Sequence, residues 1–196
     1  MKKIILFSLL FISTVSFAQT FQLGIKAGPN FSNFNGSNFE DSKAKTLVGF
    51  HAGAFVSLFV GNNFAIQPEV LLSTQGARLE DANSNKTDYK LTYINIPVML
   101  KYRFNGGFYL EAGPQLGFKV HEQVDGSSEN FAKNTDVSLA GGLGFHSPMG
   151  LGIGARYAAG VTKLGDIKNA PSQPDWKNGV IQMSLFYTLF NNNKIK

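Results

Sequence analysis

The stretch Leu91–Phe104, LTYINIPVMLKYRF, decides the fold. Every second residue from Ile94 onward (Ile94, Ile96, Val98, Leu100, Tyr102, Phe104) is apolar or aromatic. The alternate set is Tyr93, Asn95, Pro97, Met99, Lys101 and Arg103, with two cations, an amide and a proline. A period of two is the mark of a strand whose faces meet different environments. The question is which face meets what.

The N-terminus sets the compartment. MKK is a positive n-region, IILFSLLFISTVSF an apolar h-region, and Ser16 and Ala18 are small residues placed for cleavage. This is the pattern of a secretory signal peptide over residues 1–18. The apolar run is short of the roughly 20 residues that a membrane-spanning helix needs. No later apolar run resembles such a helix. Cysteine is absent, which excludes disulfides, thiolate metal sites and a lipidated N-terminal cysteine. The formal charge of +5 includes Lys2 and Lys3, which leave with the signal, so the mature chain is only mildly basic. No Lys/Arg cluster or RNA-binding aromatic motif accompanies it, and no nucleic-acid partner is expected.

Alternation recurs through the rest of the chain and predicts eight strands, near 21–31, 46–60, 64–78, 89–104, 108–120, 135–146, 149–160 and 179–190. Their connections alternate between short and long. GNN (61–63), NGG (105–107) and SPMG (147–150) are tight-turn sequences in which Gly and Asn supply positive φ. The others are long and polar: SNFNGSNFEDSKAK, EDANSNKTD, HEQVDGSSENFAKN and VTKLGDIKNAPSQPDWKNG. An up-and-down antiparallel sheet gathers all tight turns at one end and all long loops at the other. That asymmetry predicts an all-β chain folded as an eight-stranded up-and-down antiparallel transmembrane β-barrel over residues 19–190, with a short polar tail at 191–196. The expected location is the bacterial outer membrane, and a monomer is expected there.

A soluble lipocalin-like barrel in the periplasm or secreted, binding an apolar ligand, is the alternative. It reverses the faces, with oil inside and charge outside. The composition of the faces favours the membrane. One set on nearly every strand is free of charge, as in Phe108, Leu110, Ala112, Leu116 and Phe118, or Ile181, Met183, Leu185, Tyr187 and Leu189. The opposite set is rich in Gly, Gln, Asn and Ser and holds Lys26, Glu69, Lys101, Arg103, Glu111 and Arg156. An eight-stranded barrel is just wide enough to be filled by side chains. Buried carboxylates need partners, so these six residues are expected to form an ion-pair network in the lumen. Phe64, Phe104 and Phe108, beside the tight turns on the apolar faces, are placed for an interfacial girdle.

Two features resist this pattern. Pro29, Pro68, Pro97 and Pro114 fall inside predicted strands, where each removes a ladder donor. A local bulge or missing bond is expected where Pro97 and Pro114 lie at about the same height. Near the end, alternation points Leu189 outward and leaves Phe190 unexplained.

The segments LGIKAGPNFSNF, LTYINIPVMLKYRF and FYLEAGPQLGF, with a Gly-rich late hairpin, resemble the PorT-like outer-membrane β-barrel proteins of Bacteroidetes. The resemblance spans nearly the whole mature chain and implies an eight-stranded barrel in the outer membrane. A few such proteins are associated with protein secretion, and that role is not carried over to this chain.

Nothing in the sequence spells out a reaction. His51, His121 and His146 lack HxxxH or HExxH spacing. His121, with Glu122 and Asp125 nearby, reads as a solvated loop histidine. Ser57 and Ser73 have no evident activating base. GGLG and GLGIG do not lead from a strand into a helix, so no phosphate loop is expected. Glu122, Asp125 and Glu129 do not fit an EF-hand. No catalytic, metal or cofactor site is expected. A lipid-acting barrel enzyme would need polar residues clustered at one rim. The expected partners are outer-membrane lipid and, through the long loops, other envelope proteins, with Phe34, Phe39, Phe131 and Trp176 as candidate contacts.

Overall fold

The computed structural model describes residues 21–35, 42–81, 86–124, 134–162 and 177–192. It contains eight strands: β1 (Phe21–Asn35), β2 (Ser42–Val60), β3 (Phe64–Asp81), β4 (Lys86–Arg103), β5 (Phe108–Val124), β6 (Thr135–His146), β7 (Leu151–Gly160) and β8 (Lys177–Asn191). Each pairs antiparallel with the next, and β8 returns to β1, closing a barrel. At the tight turns Gly61, Gly106 and Gly150 hold φ of 71°, 95° and 88°, a conformation that glycine adopts without steric penalty.

The faces are inverted relative to a soluble protein. Gln67, Glu69, Asn30 and Ser73 are buried in the lumen, while Val48, Leu100, Phe108 and Leu139 are among the most exposed residues. Along β4, Ile94, Ile96, Val98 and Leu100 all point outward, and Phe104 just past its end is exposed too. Ten residues at about 3.3 Å each, tilted by about 40°, rise roughly 25 Å, the height of a barrel's lipid-facing band. At the turn end, aromatic pairs bridge neighbouring strands: Phe64–Tyr102 at 4.7 Å, Phe108–Phe145 at 5.3 Å and Phe21–Phe190 at 5.2 Å between centroids. Together with Phe104, 4.8 Å from Tyr102, they form a girdle at one interface.

The prolines do not bulge the sheet. Around each of them one ladder skips two residues and resumes in the same register. β4 pairs Pro97 with Gln115 and then Leu100 with Ala112, skipping Pro114's position; β3 pairs Pro68 with Val98 and then Leu71 with Asn95, skipping Pro97's. Pro68 and Pro29 stand at like gaps in the β2–β3 and β1–β8 ladders. A missing N–H costs a rung, and the closed neighbours hold the register. Of the bulge or missing bond expected at Pro97 and Pro114, the structure shows the missing bond and no bulge. The β4–β5 shift lies at Thr92/Tyr93, near the loop end. Another, at Leu23/Gly24 between β1 and β8, explains Phe190: the register change lets Leu189 and Phe190 both face outward.

The strands are also longer at the loop end than the alternation predicts. β2 to β5 run 17–19 residues, against 12 in β6 and 10 in β7. One side of the barrel therefore rises as a wall beyond the apolar band. Phe34 belongs to β1, paired with Asn178, and not to a loop. His121 likewise sits in β5, paired with Thr92.

Placing a cation in the middle of the apolar band should be severe. Val98→Arg is expected to lower stability in lipid vesicles by about 2–4 kcal/mol, and Thr92→Arg near the band's edge by about 0–1 kcal/mol. Equal urea midpoints for the two variants would overturn the assigned band.

Candidate functional site

The lumen is filled, and its filling is layered. At the centre Arg156 of β7 faces Glu69 of β3 across the barrel. Its guanidinium grips that carboxylate with both terminal nitrogens, Nη2 to Oε1 at 2.8 Å and Nη1 to Oε2 at 3.0 Å. Its Nε donates to Glu111 Oε1 at 2.8 Å. Two parallel N–H···O bonds are the strongest arrangement available to this pair. Lys26 Nζ lies 3.0 and 3.1 Å from the two Glu69 oxygens, and Gln67 Nε2 donates to Oε1 at 2.6 Å. Lys101 Nζ is 3.5 Å from Glu111 Oε2 and sits over the Tyr109 ring at 4.0 Å, with the Phe186 ring at 5.5 Å. All five charged residues are at most 7% exposed. Five strands are thereby tied together through one cluster.

Arg103, the sixth residue expected in this network, stands apart. Its Nη2 donates to Gln22 Oε1 at 3.1 Å and lies 2.8 Å from His146 Nδ1. Among the described residues it meets no carboxylate.

Toward the turns lies an aromatic layer that the polar reading of the lumen face missed. Phe55 and Phe186 meet edge to face at 5.8 Å, and Tyr109 lies 6.1 Å from Phe186. Glycines make room for these rings. A Cβ on Gly24 would fall 2.3 Å from Phe55, one on Gly152 2.1 Å from Phe186, and one on Gly144 or Gly154 about as close to the Tyr109 hydroxyl. The signal was present in the alternation. Tyr109 shares parity with Glu111, and Gly152 and Gly154 share parity with Arg156.

On the loop side of the cluster a neutral, hydrogen-bonded layer follows, with buried Glu122 and Asp136 farther toward the loops. His51 Nδ1–H donates to Asn30 Oδ1 at 2.7 Å, and its Nε2 accepts from the Ser184 hydroxyl at 2.9 Å. Asn30 donates in turn to Ser73 Oγ at 2.9 Å. On the turn side of the cluster, Ser57 donates to Gln67 Oε1 at 2.7 Å. Ser184, His51 and Asn30 thus form a hydrogen-bonded relay in the lumen, while Ser57 and Ser73 meet amide side chains and no histidine among the described residues. His121 is exposed, while Glu122 is buried and paired with Lys119. Among the described residues no three of His, Cys, Asp and Glu cluster as metal ligands. Asp125, Glu129, Phe39, Phe131 and Trp176 lie outside the described residues, and so does the segment 1–20.

A closed eight-stranded barrel with an apolar exterior, an aromatic girdle and a polar filled lumen defines a transmembrane β-barrel of the bacterial outer membrane. The comparisons agree. Residues 17–166 match the family described as "Outer membrane protein beta-barrel domain", and the chain belongs to that family. A search of curated proteins finds no match. Among solved structures, the fold is similar to Neisserial surface protein A, with 15% identity, 85% of this chain and 97% of that one covered, and a TM-score of 0.56. It is also similar to Ail of Yersinia pestis, solved with the heparin analogue sucrose octasulfate (18%, 87% and 99%, 0.55). OprG of Pseudomonas aeruginosa is a third (13%, 87% and 94%, 0.51). A soluble carrier with an oily cavity is thereby excluded. In barrels of this class the short turns lie on the periplasmic side.

The ion cluster makes unequal demands on its members. Glu69→Ala strands Lys26 and the fork of Arg156, and is expected to cost about 3–5 kcal/mol. Lys101→Met leaves Glu111 with Arg156 and keeps an apolar stem on the aromatic layer, so its loss should be smaller. Urea titrations of both variants in vesicles check the order. Equal losses would mean that the cluster does not converge on Glu69.

Proposed function

We propose that this barrel is non-enzymatic and acts, as a monomer of the PorT-like kind, through its outward end in contacts with other envelope components. The observation that carries this reading is the wall. β2 to β5 extend past the apolar band on the outer side, while the lumen behind them is plugged by the ion cluster and the aromatic layer. A wide aqueous channel needs about 16–18 strands. Strands that continue into water beyond the bilayer have no lipid to meet, and they present a rigid rim carrying exposed Lys90 and Gln123. Binding residues concentrate on loops held by such scaffolds, and Phe39, Phe131 and Trp176 fall in the long connecting segments of the sequence. The LTYINIPVMLKYRF strand followed by FYLEAGPQLGF supports the narrower PorT-like assignment. MKK and the apolar run after it support export by a cleaved signal peptide. The partners of Ser57 and Ser73, which are the amides of Gln67 and Asn30 and not a base, support the absence of a catalytic role for these two serines.

A photo-crosslinking residue at Lys90 or Gln123 in intact cells should give discrete protein adducts, and one at Asn62 in a periplasmic turn should not. Adducts from Asn62 alone would overturn the outward reading. Bilayer recordings should show no porin-like conductance, and sustained open channels would refute the plugged lumen.

A further inference from the structure

We propose that the periplasmic mouth of the lumen is a binding site for a carboxylate or phosphate group, centred on the Arg103 guanidinium. Arg103 is the last residue of β4, beside the Asn105–Gly107 turn. An arginine only donates, so His146 Nδ1 accepts from it and the imidazole is neutral, with Nε2–H left to donate to Thr188 Oγ1 at 3.1 Å. Gln22 supplies a second neutral acceptor, and Gln22 Nε2 is itself fixed by Asn191 Oδ1 at 3.0 Å. The Phe59 ring lies 4.9 Å from the guanidinium carbon. Arg103 Nε has no hydrogen-bond partner. This cation is thus held in place by neutral groups and an aromatic ring, with donor capacity to spare.

The charge balance points the same way. The central and periplasmic parts of the lumen hold Lys26, Lys101, Arg103 and Arg156 against Glu69 and Glu111. Both carboxylates are taken by Arg156 and the lysines. A partly buried cation without a counter-ion is unfavourable, and the described residues offer no other acid side chain at this end. Of its thirteen Asp and Glu residues, all except Glu69 and Glu111 belong to the long connections or to the strand ends beside them. The periplasmic turns GNN, NGG and SPMG carry none. The incoming group must be small, because Phe55, Tyr109 and Phe186 close the lumen just beyond. It must be an oxyanion, since a guanidinium matches carboxylate and phosphate geometry. In the periplasm such a group comes as a free anion or as the carboxylate of a peptide.

The test is NMR of the 15N-labelled barrel in nanodiscs, following the arginine Nε–Hε resonances. Acetate, inorganic phosphate and a short aspartate-containing peptide are titrated against chloride at matched ionic strength. The Arg103 resonance should shift saturably with the oxyanions and not with chloride, while that of Arg156 stays fixed. Binding of the peptide about tenfold tighter than acetate would identify a peptide carboxylate as the source, and equal binding a free anion. In Arg103→Gln the saturable response of the neighbouring His146 ring should vanish. Arg103→Lys, which keeps the charge, should weaken it by about tenfold with the gel-mobility shift on boiling unchanged. No saturable shift in the parent protein, or the same His146 response in Arg103→Gln or Arg103→Lys, would overturn the site.

Discussion

Hydrocarbon offers a backbone no water, so every N–H and C=O within the membrane must find its partner inside the protein. Closure of β8 onto β1 meets that demand with no free edge. The rest of the molecule follows from it. Four prolines remove donors inside the band, yet the ladder resumes in register past each one, because the flanking rungs on both neighbours fix the strand. Eight strands close to a narrow tube, and a narrow tube must be filled. At some points the strands approach so closely that only glycine fits. A Cβ on Gly113 would lie 2.0 Å from the Val98 carbonyl oxygen.

The chemistry of the filling also protects the register. Slipping a strand by one residue exchanges its faces. If the lumen were as apolar as the exterior, such a slip would be nearly neutral in a membrane. With Arg156, Glu69 and Glu111 inside, a slip would drive charges into lipid and leave their partners unpaired. An ion cluster that adds little net stability can therefore specify one barrel out of several. Arg156 reaches from β7 to β3, so it reports on the assembly of the whole ring and not of one hairpin. The aromatic layer does comparable work by shape: Phe55, Tyr109 and Phe186 each fit over glycines on other strands, and a shifted register would set those rings against Cβ atoms.

Alternation in sequence made the strands and their polarity legible because lipid imposes a strict rule on one face. Ile94, Ile96, Val98 and Leu100 could hardly read otherwise. The rule has less force elsewhere. Beyond the bilayer the outward face also meets water, as at Lys90 and Gln123, hydrophobic alternation fades, and strand segments such as His121–Val124 read as loop. Inside the lumen either polar or apolar residues can fill space, so Tyr109 and Phe186 carried no label of their own; only the glycines opposite them did. Alternation put Arg103 on the right face but could not give its height, and height separates it from the glutamates. Phe190 defied the pattern because the register shift beside it, between the Leu23–Phe190 and Gly24–Thr188 rungs, changes the parity of the strand end.

The filled lumen moves any function to the two ends, and the ends differ in kind. The outward end is a wall of continued strands, rich in charges of both signs. The periplasmic end is three tight turns without a single acid, closed by an aromatic layer, with one arginine held by neutral neighbours. A lumen built only for stability would pair its last cation as it pairs the others, since the cluster around Glu69 shows that five strands can be brought to converge on two carboxylates. Arg103 instead stands two residues along β4 from Lys101, near enough to the mouth to be met by something outside the chain. The same parity that places it in the lumen also directs it away from lipid, so an oxyanion from the periplasm is the counter-charge that its position leaves open.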